Sequence, residues 1–175
     1  MKTRQMTIKQ HNAFMKNKQR GALSAELAMV VVIVVLALIF IVSQAPNIMY
    51  KINEMRFVSQ TNEIAQETLL WKKARPNYEG VTIAKVCADG SLNKNICGAS
   101  NDGKATNPFG GDWSIAANTR SKGLFDITAT IPDATDAERI PSMAGSVAPS
   151  TRGNCAEATG CPTLTTTANS LKMTF

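Results

Sequence analysis

Acidic residues are missing from the first 25 positions of this 175-residue chain, and Glu26 is the first. Histidine is nearly missing as well: the one histidine, His11, stands in that same stretch. A Ser/His or Cys/His nucleophile pair therefore cannot be assembled from residues 12–175. No Walker loop or dinucleotide fingerprint occurs either, because the glycine-rich segment 101–111 has neither spacing. Asp126, Asp133, Asp136 and Glu138 read as solvated charge, not as acid/base pairs, and Asp89-Gly90 and Asp102-Gly103 read as turns, not as calcium ligands. No catalytic residue, cofactor or metal site is expected, and the chain reads as a non-enzyme.

Cysteine is absent before position 87 and then appears four times, at Cys87, Cys97, Cys155 and Cys161. No pair has C-x-x-C spacing and no histidine lies nearby, which disfavours zinc. Four cysteines permit three disulfide pairings. Short loops favour Cys87–Cys97 with Cys155–Cys161, whereas tying the C-terminal region to the rest of the head would constrain more chain.

Basic charge is concentrated where acid is missing. Six of the 19 basic residues (Lys2, Arg4, Lys9, Lys16, Lys18 and Arg20) fall within 1–21, leaving 13 basic and 13 acidic residues beyond. The net charge of +6 thus belongs to the segment before an apolar run, where it marks the cytoplasmic side of a membrane and not a nucleic-acid surface. That orientation places all four cysteines on the oxidising side.

From Leu27 to Val42 every residue is apolar, and extending back to Ala22 adds only Ser24 and Glu26 as polar residues. The 21 residues 22–42 rise roughly 31 Å as a helix, the thickness of a hydrocarbon core. A cleaved secretory signal fits less well, since its apolar core is usually shorter, whereas here apolarity runs on to Val42 and then into Ser43-Gln44-Ala45-Pro46. Beyond Pro46 a helical pattern continues to Arg75-Pro76. Ile48, Ile52, Met55, Val58, Ala65 and Leu69 recur at three- or four-residue steps with one wider gap at Thr61-Asn62, predicting an apolar face that needs a cover. A helix over about 22–74 is on the order of 80 Å long.

Past Pro76 the composition turns to Gly, Asn, Ser, Thr and Pro. Strands are predicted at Val81–Ala88, Asp112–Ala117, Leu124–Ile131 and Ser170–Phe175. A short helix within Asp133–Ala144 is expected, capped by Thr135 with Glu138 completing a capping box. Gly145–Thr167 reads as a loop held by Cys155 and Cys161.

The segment Lys18-Gln19-Arg20-Gly21-Ala22-Leu23-Ser24-Ala25-Glu26 resembles the processing site of type IV prepilins. The resemblance implies a cut between Gly21 and Ala22 by a prepilin peptidase, N-methylation of Ala22, and an assembly role for Glu26, the fifth residue of the mature chain. Asn107-Pro108-Phe109-Gly110-Gly111-Asp112-Trp113 is similar to a segment leading into a head strand of many type IVb pilins, and Trp113 reads as core packing. The family's pattern usually has a proline near the middle of the membrane stretch, whereas here it stands at the end, as Pro46.

The resemblance implies an α+β pilin fold, a long N-terminal helix packed on a small antiparallel sheet. Its parts are a cleaved leader (1–21), a transmembrane and assembly helix (22–45), an amphipathic continuation (46–75) and a globular head (76–175). It further implies a structural subunit of a type IVb pilus, its major pilin, anchored in the inner membrane with a periplasmic head before assembly and extracellular afterwards. The expected partners are identical subunits in a helical filament, the prepilin peptidase and the inner-membrane assembly machinery. Alternatives are a minor pilin, a type II secretion pseudopilin, or a single-pass membrane protein whose head binds a ligand without polymerising.

Overall fold

The computed structural model describes residues 20–90 and 92–175, with side chains from Ser24 onward. The basic stretch 1–19, most of the expected leader, lies outside the described residues. By its internal contacts the chain divides at Pro46 into two compact units, the second being Asn47–Phe175.

Helix α1 runs over Arg20–Lys72 and continues through Pro46. Pro46 has no N–H to offer the carbonyl four residues back, so one bond of the ladder is missing there. Nearby, the Ser43 hydroxyl donates to the Phe40 carbonyl at 2.7 Å. The helix ends just before Arg75-Pro76, as the restriction on the residue preceding proline requires.

In the second unit α1 packs on a four-stranded antiparallel sheet, with β1 (Trp113–Ala117), β2 (Phe125–Thr130), β3 (Leu164–Thr166) and β4 (Ser170–Thr174). The spatial order is β1-β2-β4-β3. The last strand therefore lies inside the sheet, with Ile127 opposite Met173 and Ala129 opposite Leu171. The alternation read for β2 is real: Phe125, Ile127, Ala129 and, just beyond it, Ile131 are all fully buried.

The face of α1 that meets the sheet is not the one the periodicity indicated. Tyr50, Glu54, Phe57, Thr61, Ile64, Thr68 and Trp71 are buried, in alternating steps of four and three. Phe57 stacks on Trp113 at 4.9 Å between centroids and lies 5.7 Å from Phe109. Of the expected apolar face, Ala65 is buried and Val58 packs against the core, but Ile48, Met55 and Leu69 are exposed. Tyr50, Phe57, Ile64 and Trp71 alternate with Glu54, Thr61 and Thr68, and these polar positions hid the true face from a hydrophobicity count.

Three further expectations are corrected. The strand expected at Val81–Ala88 is helix α2, Ile83–Ala88, because the Thr82 side chain accepts from the Lys85 N–H and Ile83, Val86 and Cys87 share one helical face. It is followed by a one-turn helix α3, Lys94–Cys97, with Asn93 as its cap. The helix within Asp133–Ala144 is two helices, α4 (Ala134–Ala137) and α5 (Ile140–Val147). Pro141 cannot donate to Ala137, but it is well placed in a first turn. The α4 cap is Asp133, accepting from Thr135 and Asp136 N–H groups at 2.8 and 3.2 Å, so Thr135 already lies inside the helix. Finally, the region expected as loop contains β3, an exposed threonine-rich strand whose conformation comes from pairing with β4.

Candidate functional site

The first unit carries one chemical singularity. Every residue from Ser24 to Met49 is exposed, and the large apolar side chains between Leu27 and Val42 are 46–73% exposed. This helix is long and apolar enough to cross a membrane. Glu26 stands at the start of that surface. Among the described residues its side chain forms no ion pair or hydrogen bond, and no basic residue occurs between it and Lys51. A carboxylate in apolar surroundings costs several kcal/mol, on the order of 3, unless it is paired or neutralised. Gly21 and Ala22 belong to the helical backbone at the start of α1, whose side chains are described from Ser24 onward.

The second unit has its own uncovered surface. Ile48 and Met55, at 57% and 66% exposure, and Met49 form an apolar patch on the side of α1 away from the sheet. Leu69 and Leu70 repeat this near the helix end. A fold that buries α1 on one side thus leaves two apolar patches without a cover, with Ser59, Asn62 and Gln66 between them.

Between the patch and the core, Glu54 is buried. Its carboxylate pairs with Lys51 at 2.7 Å and accepts from the Ser146 hydroxyl of α5 at 2.8 Å. Burial raises the Glu54 pKa, but Lys51 and Ser146 together outweigh it and hold the carboxyl below its ordinary value. Arg139 stacks over the Tyr50 ring at 4.4 Å, a second link from the α5 segment to the helix.

Asn107–Trp113 is a built turn. Asn107 is buried, donates to the Thr130 carbonyl at 2.7 Å, and accepts from the Phe109 and Gly111 N–H groups at 2.9 and 3.2 Å. Trp113 is in the core, its indole N–H donating to Gln60 at 3.2 Å. Both disulfides are local: Cys87–Cys97 joins α2 to α3, and Cys155–Cys161 closes the loop before β3.

Asp126, read as solvated, is instead buried. It accepts from Asn118 and from the Thr174 hydroxyl, each at 2.7 Å, with Lys172 at 3.6 Å. It pins β4 to β2 and the turn beside it, a structural role whose only sequence signal was an acid at an interior strand position. Among the described residues no cluster of metal-ligating side chains occurs.

Comparison with known families, with characterised proteins and with solved structures gives no match. The helix-on-sheet architecture with its disulfides is consistent with a pilin-like fold.

Proposed function

We propose that this chain is a structural subunit of a type IVb-like pilus, with its leader removed after Gly21 and its polymerisation mediated by the N-terminal helix. The observation that carries this reading is the lone Glu26 on a fully exposed apolar helix, five residues after the expected cut. Cleavage at Gly21 creates an amine at Ala22. In a staggered bundle that amine of one subunit meets the Glu26 carboxylate of its neighbour and sets the register. The apolar patch of Ile48, Met49 and Met55 supports the same reading, because packing of copies supplies the cover that the fold leaves out.

Before assembly the helix over 22–45 anchors the subunit in the inner membrane with the head periplasmic. The compartment suits both disulfides. The filament partners are identical subunits, and the peptidase and inner-membrane assembly machinery act before them. Shearing cells that express the chain and immunoblotting the filament fraction tests the proposal. The chain is expected in that fraction, and is expected to remain in the membrane as the longer precursor when the peptidase is deleted. Recovery only from the membrane in peptidase-positive cells contradicts it.

A further inference from the structure

Within the unit Asn47–Phe175, an open groove of about 570 Å³ lies between α1 and the segment 93–108. Its size falls among small-ligand sites, about 300–1,000 Å³. Its lining differs from the apolar patches on the same helix. Four primary amides border it, Asn53 and Gln60 from α1 and Asn93 and Asn95 from the opposite wall. Ser59 and Thr106 add hydroxyls that can donate or accept. One cation, Arg56, and one anion, Glu63, leave the lining formally neutral.

Several of these groups are held in place. Gln60 is fixed by the Trp113 indole on its carbonyl oxygen at 3.2 Å, which leaves its NH₂ as the unspent end. Glu63 Oε1 accepts from the Asn93 N–H at 2.9 Å, and Oε2 remains. Asn93 is in turn fixed, its Oδ1 accepting from the Asn95 N–H at 2.9 Å, so the Asn95 side chain stands on a braced backbone. Arg56 is exposed, and its guanidinium forms no ion pair or hydrogen bond among the described residues. Half-buried Pro108 supplies the apolar part of the floor, with Ile96 fully buried behind the lining.

Planar amide, guanidinium and carboxylate groups set along one groove match vicinal hydroxyls, each of which donates and accepts. The apolar floor suits the C–H face of a sugar ring. A polyanion is poorly served, since Glu63 opposes the single cation, and an apolar ligand would leave the amides unsatisfied. We infer that this groove is a binding site for a short neutral oligosaccharide. With no aromatic ring in the lining, hydrogen bonds set the affinity.

The test is an NMR titration of the full isotope-labelled chain in phosphocholine micelles, a detergent without sugar, following the side-chain amides of Asn53, Gln60, Asn93 and Asn95. Cellotriose, maltotriose and triacetylchitotriose are the neutral probes, and a uronic acid trisaccharide is the anionic one. At least one neutral probe should shift these amides saturably. Arg56→Ala and Asn95→Ala, both at exposed positions outside the core, should each weaken that binding about tenfold with the remaining spectrum unchanged. No shift with any neutral probe, or equal binding by both variants, overturns the inference. Tighter binding of the anionic probe overturns the neutral class. Concentration-dependent shifts of the same amides without sugar assign the groove to contact between copies and overturn it too.

Discussion

Gly111 and Gly145 are alike in composition and opposite in consequence. A Cβ on Gly111 would stand 1.9 Å from the Thr130 carbonyl oxygen, a backbone atom of β2 that cannot move without disturbing the sheet. Gly111→Ala should therefore cost about 3 kcal/mol, the upper end of overpacking. Gly145 sits within α5 with nothing within 4 Å of the corresponding position. Gly145→Ala should stabilise by about 0.5–1 kcal/mol through helix propensity and unfolded-state entropy. Thermal unfolding followed by near-ultraviolet circular dichroism reads both, and equal shifts would contradict the geometry. At Glu26 the expected effect is on assembly. Removing one partner of a buried ion pair costs about 3–5 kcal/mol at each subunit added. Glu26→Ala should leave cleavage, membrane insertion and disulfide formation intact while surface filaments become rare, and coexpressed mutant should reduce wild-type filaments with dose. Normal yield of sheared filament beside a membrane-fraction control would place the glutamate at the headgroups instead.

Among the elements, α5 is tied to α1 by polar contacts, and this makes the tie sensitive to acid. The Glu54 pKa is lowered in the fold, so its stabilisation is complete above the unfolded carboxylate pKa and is lost as pH falls through the folded one. Stability of the head should decline as pH drops below the usual carboxylate range, and Glu54→Gln should flatten that decline; a mutant with the wild-type acid profile would remove Glu54 from the account. The disulfides act locally. Replacing Cys87 and Cys97 by alanine opens a loop with a sequence separation of 10 and should cost about 2–4 kcal/mol, measured by denaturant unfolding. The elements also mark what was legible in sequence. Strands β1, β2 and β4 were readable because the apolar side chains at every second position are the ones the core buries, and α1 because its apolar run and the Arg75-Pro76 stop are unambiguous. The sheet-facing side of α1 was not readable, since Thr61 and Thr68 are buried while Ile48 and Met55 are exposed, and only tertiary packing decides that. Likewise α2 depends on a side-chain cap, and β3, whose threonines carry no apolar alternation, on hairpin pairing with β4 just after it.

For the whole molecule, two kinds of surface coexist in one chain. Among the described residues of its own unit nothing buries the apolar helix before Pro46, and the helix beyond Pro46 is buried on one side only. Glu26 was legible because an acid in an apolar run stands out without any structure, whereas the groove beside α1 was not, because its amides come from segments far apart in sequence. The polymerising-subunit account requires that the chain reach the surface in processed form. The measurement that tests this most directly is intact-mass and N-terminal analysis of the chain recovered from sheared surface filaments. The account predicts a subunit beginning at Ala22 and carrying one added methyl group at its terminal amine, with both disulfides formed. A surface chain beginning at Met1, a start beyond Val42, or filaments that lack the chain would contradict it.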